Sequence, residues 1–261
     1  MNRFAPDTMP AALPFAPTHV VIGAGSAGCV MASRLSEEPA NRVLLLEAGI
    51  DYSPEQVPQD IANTYAGFAF NNPAYFWPDL KMQRPGVGAV RYEQARVLGG
   101  GSSINGQVAL RGAPRDYDAW EKLGAEGWNW QSVLPYFRKL ESDRNFDGPL
   151  HGNDGPIPID RIDATHWDEF TRAVTRVWTA EGFARRTDMN GSFEEGFAEI
   201  PLANDGKRRV STAVGYLTAD VRRRRNLAIW TDAQVRRIVM DGPRATALDV
   251  DGHGRIDLPA G

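Results

Sequence analysis

The chain has 261 residues, 42% hydrophobic and 24% charged, an ordinary globular balance for one large domain or two modest ones. Its 29 Lys and Arg against 33 Asp and Glu leave a formal charge of −4, so there is no overall basic field to hold a polyanion, and nucleic acid is not an expected partner. No apolar run reaches the roughly 18 residues of a membrane span, and a single cysteine, Cys29, excludes an intrachain disulfide framework and a cysteine-based zinc cluster.

Residues 1–17 hold Pro6, Pro10, Pro14 and Pro17 and no hydrophobic block of signal-peptide length. They are expected to form a flexible arm rather than an export signal, on a cytoplasmic protein. His19-Val20-Val21-Ile22 is a short β-branched run ending at glycine, Ala27 to Ser36 reads as a helix stopped before Pro39, and residues 42–46 form a second unbroken apolar run. Such runs suit strands covered on both faces, as in a parallel sheet, and strand, helix, strand within about thirty residues is a βαβ unit. From Asp51 to Arg91 the periodicity fades into a Pro- and aromatic-rich region with turns at Asn71-Asn72-Pro73 and Arg84-Pro85-Gly86. A loop of that length inside a domain is expected to cover a functional site.

A glycine-dense stretch, Val97 to Gly106, comes next. Asp116 to Leu123 and Ser132 to Leu140 read as two helices, and Trp167 to Glu181 as an amphipathic one with Phe170, Val174 and Trp178 at four-residue steps. Between them, His151-Gly152-Asn153-Asp154-Gly155-Pro156 is the expected exit from the first domain. After Asn226 the pattern turns to short strands, Leu227–Thr231, Val235–Met240, Ala245–Val250 and Ile256–Leu258, with Asp-Gly hairpin signals at Asp241-Gly242 and Asp251-Gly252.

Gly23-Ala24-Gly25-Ser26-Ala27-Gly28 is a G-x-G-x-x-G pattern placed between an apolar strand and a helix, and Glu47 ends the following strand. Each residue type has a task there. Gly23 permits the tight turn, Gly25 lets a pyrophosphate approach the backbone, and Gly28 lets helix and sheet pack closely. The helix start supplies N–H donors to phosphate, and Glu47 is placed to accept from an adenosine ribose and to repel a 2′-phosphate. A glycine-rich turn in a plain α/β protein is the competing reading. The fingerprint alone does not separate NAD from FAD. The second glycine stretch, Arg96-Val97-Leu98-Gly99-Gly100-Gly101-Ser102-Ser103-Ile104-Asn105-Gly106, favours a flat ring or a second phosphate contact over a linker, because Arg96, Ile104 and Asn105 are out of place in a solvated spacer.

Together these stretches, with Arg111-Gly112, Asp116-Tyr117-Asp118, Gly127-Trp128, His151-Gly152, Gly155-Pro156 and Ser211-Thr212-Ala213, resemble the glucose–methanol–choline (GMC) flavoprotein oxidoreductases. Phe76-Trp77-Pro78, Tyr92-Glu93-Gln94 and Ile157-Pro158-Ile159 are most similar to the aryl-alcohol and hydroxymethylfurfural oxidase branch, then to choline dehydrogenases. The resemblance implies an α/β fold: an FAD/NAD(P)-binding Rossmann-like domain with a β-meander, plus part of an α+β substrate-binding domain. The expected divisions are an arm over 1–17, the first part of the FAD domain over 18–150, partial substrate domain over 151–225, and a return to the FAD domain over 226–261.

It further implies non-covalent FAD, since Ile104 stands where some members carry a flavin-linked histidine. Gly23, Gly25, Ser26, Ala27 and Gly28 would take the pyrophosphate, and Glu47 with Ala48 the adenosine ribose. Val97, Gly100, Gly101, Ser102, Asn105, Gly106 and Val108 would line the isoalloxazine, Arg96 would contact the cofactor, Val235 would meet the adenine, and Trp77 would lie near the cofactor. The implied reaction is oxidation of a primary aromatic or small alcohol to an aldehyde by hydride transfer to flavin N5, with oxygen or another acceptor taking the electrons. Family members continue for about as many residues again and carry their catalytic histidine there, so this chain is expected to be an incomplete piece with no catalytic residue of its own. His19, His151, His166 and His253 match no family motif, and no metal site is expected. A binding-only protein, an NAD-dependent dehydrogenase, and a nucleic-acid or membrane-surface role for Lys207-Arg208-Arg209 and Arg222 to Arg225 are the competing readings.

Overall fold

The computed structural model describes residues 13–259. Their packing divides the chain into two compact units, one running to Asn105 and resuming at Ser211, the other Gly106–Val210.

The first unit is built on a parallel three-stranded sheet. Strand β1 (His19–Ile22) leads through helix α1 (Ser26–Leu35) to β2 (Val43–Leu46), with Val21 opposite Leu45. A return strand, Leu227–Trp230, pairs in parallel with the other edge of β2, which makes β2 central. All four β2 side chains are buried, and each contributes roughly 1.5–3 kcal/mol relative to exposure. Leu44 and Leu46 pack with Ala228, Trp230, Leu248, Val250 and Ile256. By alternation Val43 and Leu45 occupy the opposite face.

The partners on the first face come from an antiparallel meander, Val235–Asp241, Arg244–Val250 and Gly254–Asp257. Its last turn places His253 flat against Trp230, with ring centroids 4.6 Å apart. The expected meander therefore exists, but Leu227–Trp230 leaves it for the parallel sheet. Its near-continuous burial already has the pattern of a strand covered on both faces.

Three further expectations stand beside what the packing shows. The arm expected over 1–17 is not free along its whole length: Leu13 and Phe15 pack on the core around Trp230, and Arg42 Nε donates to the Ala16 carbonyl. Residues 1–12 lie outside the described ones. The region 51–91 is not one loop; it contains short helices Gln59–Ala62 and Gly67–Phe70 and the hairpin Lys81–Arg84 with Gly88–Arg91. Four-residue elements are too short to show a period. The divisions expected near Leu150 and Asn226 fall inside the compact units, whose crossings lie at Asn105/Gly106 and Val210/Ser211. Punctuation in sequence marks turns, and only packing shows which turns separate units.

The second unit holds a small mixed sheet, with Glu141–Asp143 parallel to Ile157–Asp160 and Leu202–Ala203 antiparallel on the far side. Helices Pro114–Lys122, Trp130–Leu140 and Glu169–Ala180 correspond to the three expected helices. Asn129 caps the second by accepting from Ser132 N–H, and Asp168 caps the third through Thr171 N–H. Tyr117, Trp120, Trp130 and Phe137 pack edge to face or tilted between the first two helices.

Candidate functional site

The two glycine motifs, far apart in sequence, are in direct contact in the first unit. Gly23, at φ 89°, turns the chain out of β1 while its N–H donates to the Leu46 carbonyl at 2.7 Å. A Cβ on Gly28 would land on the Gly23 carbonyl oxygen, so the third glycine is what lets α1 start against the strand. Gly25 is the N-cap residue of α1, and no side chain caps the helix there. A Cβ on Gly25 would meet nothing within 4 Å, and Ser26 and Ala27 are exposed. The first turn of α1 therefore presents its N–H donors to open space.

The second motif sits on the first. Gly99 N–H donates to the Ala24 carbonyl at 2.7 Å, and a Cβ on Gly100 would stand 2.7 Å from Gly25 Cα. Gly99 and Gly100 both have positive φ, 83° and 53°, a conformation that glycine adopts without strain. Gly101 then opens a single helical turn, Gly101–Ile104, and a Cβ on Gly101 also meets nothing within 4 Å. Ser102 Oγ donates to the Gly99 carbonyl and accepts from Thr212 N–H.

The residues around these turns are held by backbone bonds. Val97 is fully buried and bridges to Ile50. Arg96 donates through Nε to the Ala48 carbonyl at 2.9 Å and lies 5.2 Å over the Trp77 ring, so the guanidinium covers one face of that half-buried indole. Val235 pairs with Val250 and packs on the core, which leaves its backbone as the part able to meet a ligand. Asn105 is exposed at the end of the first unit; Gly106 and Val108 begin the second. Ile104 is buried.

Glu47 does something that the spacing did not show. Its carboxylate, 6% exposed, accepts from Ala24 N–H at 2.7 Å and Gly49 N–H at 2.8 Å, so it pins the first glycine turn to the end of β2. Burial raises its pKa above the usual carboxylate value, and the amides of Gly49 and Ala24 pull it back only in part. A carboxyl raised in the folded state contributes stability that is complete below its unfolded value of about 4.3 and is lost as pH rises through the folded value. Melting of the ligand-free chain followed across that window is expected to show this decline, and Glu47→Gln is expected to remove it. Beneath the same turn Cys29 donates to the Ala24 carbonyl, and burial pushes its thiol up to about 11.

The sequence reading gives no role to Gly49 and Tyr52, and takes Ser211 only as part of the Ser211-Thr212-Ala213 family stretch. A Cβ on Gly49 would strike the Arg96–Val97 backbone, and Ala48-Gly49 directly after Glu47 was the signal available. Nothing in the sequence marks Tyr52.

None of the four histidines stands at the glycine turns. His19 lies in β1, His166 ends a short 3₁₀ turn (Ala164–His166), and His253 stacks on Trp230. In the second unit, the buried His151 ring directs Nδ1 to Glu141 and Asp143 at 3.3 and 3.2 Å and Nε2 to Asp188 at 2.9 Å. Glu141, Asp143 and His151 offer ligand atoms within 4.8 Å of one another. Arg111 pairs with Glu141 and Arg161 with Asp143, so the carboxylates already face two guanidinium groups, and the cluster is a buried ion-pair network.

An uncapped helix start, two interlocked glycine turns and an acidic residue at the end of the next strand are the elements that could admit the phosphates of a dinucleotide. Residues 18–257 match the family described as GMC oxidoreductase, and the chain belongs to this family of FAD-dependent oxidoreductases. It is 45% identical over 241 residues to a 5-(hydroxymethyl)furfural oxidase of Methylovorus sp. (strain MP688), covering 89% of this chain and 45% of that protein. It is 36% identical over 241 residues to an oxygen-dependent choline dehydrogenase of Rhizobium johnstonii, covering 92% of this chain and 43% of the relative. An FAD-dependent oxidoreductase from Chaetomium thermophilum superposes with a TM-score of 0.82 at 28% identity, over 94% of this chain and 44% of that one. The chain thus spans less than half the length of each of these relatives. Among the described residues, no helix is long and apolar enough to cross a membrane.

Proposed function

We propose that the first unit is a Rossmann-like FAD-binding fold and that the chain is the cofactor-holding half of an oxidoreductase acting on CH–OH groups. The observation that carries this reading is the cradle at Gly25 and Gly101: both α-carbons face open space beside the uncapped start of α1. Phosphate oxygens fit such a place, because side-chain-free backbone admits them closely and the N–H groups face them with the positive end of the helix dipole. Gly23, Gly25, Ser26, Ala27 and Gly28 hold the pyrophosphate. Glu47, with Ala48 beside it, accepts from the adenosine ribose while continuing to hold Ala24 and Gly49. Val235 offers its backbone to the adenine. Arg96, Val97, Gly100, Gly101, Ser102 and Asn105 line the ring system, and Trp77 backs Arg96.

When bound, FAD supplies the two-electron acceptor for a hydride leaving the alcohol carbon. The chain's own residues would bind and orient the cofactor. We assign a primary alcohol, aromatic or small, as substrate of the whole protein, with oxygen or another acceptor taking the electrons, and binding without turnover to this chain alone. The buried free thiol of Cys29 suits a reducing compartment such as the cytoplasm.

The test is the visible absorption spectrum of the purified chain after incubation with FAD and desalting. A retained flavin band that alcohols leave unbleached is expected. Loss of the band with retention of a nicotinamide dinucleotide would overturn the cofactor assignment, and steady alcohol turnover would overturn the division of labour.

A further inference from the structure

Tyr52 stands five residues beyond Glu47, is 6% exposed, and has its hydroxyl between two buried serines, Ser103 Oγ at 2.8 Å and Ser211 Oγ at 2.9 Å. The proton count gives the direction of these bonds. Ser103 spends its proton on the Leu98 carbonyl at 2.7 Å, so it accepts from Tyr52. Tyr52 has then used its own proton, so Ser211 donates to Tyr52. Ser211 Oγ in turn accepts from Val214 N–H at 3.4 Å. The result is a one-way relay from Ser211 through Tyr52 and Ser103 to the Leu98 carbonyl.

That relay ends at the peptide leading into the Gly99-Gly100 turn. Gly99 is itself surrounded by it: a Cβ there would meet Ser103 Oγ, Ala213 Cβ and Ser211 Oγ. Gly99 N–H holds Ala24, so whatever fixes Leu98 and Gly99 also fixes where the second glycine turn lies on the first. The backbone of Tyr52 is held as well. Arg222 forms a two-bond ion pair with Asp51 and donates to the Tyr52 carbonyl at 3.3 Å.

We propose that Tyr52 is a positioning residue for the cofactor: its hydroxyl, through Ser103 and Ser211, sets the second glycine turn on which the flavin side of the ligand rests. This rests on the FAD reading above. The hydrogen bonds named above run to the second glycine turn, and the link from there to the first turn is Gly99 N–H to the Ala24 carbonyl. Loss of the phenol oxygen leaves buried hydroxyls of Ser103 and Ser211 short of a partner, and the turn is free to shift toward others.

The experiment compares Tyr52→Phe with the unchanged 261-residue chain in titrations with FAD and, separately, with ADP. FAD affinity is expected to fall about tenfold, equivalent to about 1.4 kcal/mol, with ADP affinity changing by less than about twofold. Ser211→Ala removes the head of the same relay, is expected to show the same split, and carries the test if Tyr52→Phe fails to fold. Unchanged FAD affinity in a folded variant would overturn the proposal. So would an equal loss for both ligands, the mark of general loosening. If the unchanged chain binds neither ligand, the cofactor reading itself falls and takes this one with it.

Discussion

Gly28→Ala is expected to destabilise the first unit by about 4 kcal/mol or more, while Gly25→Ala leaves its stability within about 1 kcal/mol. The two positions lie one helical turn apart, yet they face opposite constraints. At Gly28 the new methyl group would overlap the Gly23 carbonyl oxygen, with Val21 Cγ1 close behind at 3.5 Å. Backbone cannot swing aside as a flexible side chain does, so β1 and α1 must separate, and the buried Cys29, Ala32 and β2 side chains lose their seat. At Gly25 the methyl enters open space at an ordinary φ of −71°. What Gly25→Ala is expected to lose instead is ligand: the methyl fills the place where a phosphate would lie, and FAD retention falls by more than about tenfold, or about 1.4 kcal/mol. Urea denaturation and FAD titration of both variants separate the two effects. A stable Gly28→Ala chain would mean that α1 does not start against the strand as described, and a Gly25→Ala chain with full FAD affinity would remove the cradle from the binding site.

Asp143→Ala is expected to cost the second unit about 3–5 kcal/mol, the range for removing one partner of a buried ion pair. The Asp143 side chain is completely buried and holds Arg161 at 2.9 Å, faces His151 at 3.2 Å, and accepts from the N–H groups of Asn145 and Phe146. Removing it leaves the buried Arg161 guanidinium with only Asp188 and Asn145 as hydrogen-bond partners and takes the acceptor from two amides, a larger penalty than the attraction that is lost. Asp143→Asn, which keeps the shape and one acceptor, is expected to cost less. Tryptophan fluorescence during unfolding is a suitable monitor, because Trp120, Trp128, Trp130, Trp167 and Trp178 all belong to this unit. An Asp143→Ala change of under about 1 kcal/mol would show that the network is not what holds the short sheet together.

The glycine turns could be read in the sequence because a tight turn and close backbone packing restrict backbone chemistry. A close approach to phosphate needs glycine at fixed steps, and no side chain substitutes for a missing Cβ. The strands β1 and β2 were readable for a similar reason, since burial on both faces leaves unbroken apolar runs. The pairing of Tyr52 with Ser103 and Ser211 was not readable: it spans up to 159 residues of chain, and hydroxyl residues at such separations carry no local pattern. The same holds for Glu141, Asp143, His151, Arg161 and Asp188, each an ordinary surface type until the fold closes around them.

Local sequence by itself determined the βαβ start, the hairpin meander, the glycine turns and the family to which the chain belongs. Each follows from contacts or steric limits within a few residues, so a one-dimensional pattern is enough. Tertiary structure decided that Leu227–Trp230 completes the parallel sheet, that the second glycine turn rests on the first, that Glu47 braces Ala24, and that the chain crosses between units at Asn105 and Ser211. Those outcomes depend on which distant surfaces exclude water from one another and which buried polar groups find partners, and neither is settled until the chain has packed.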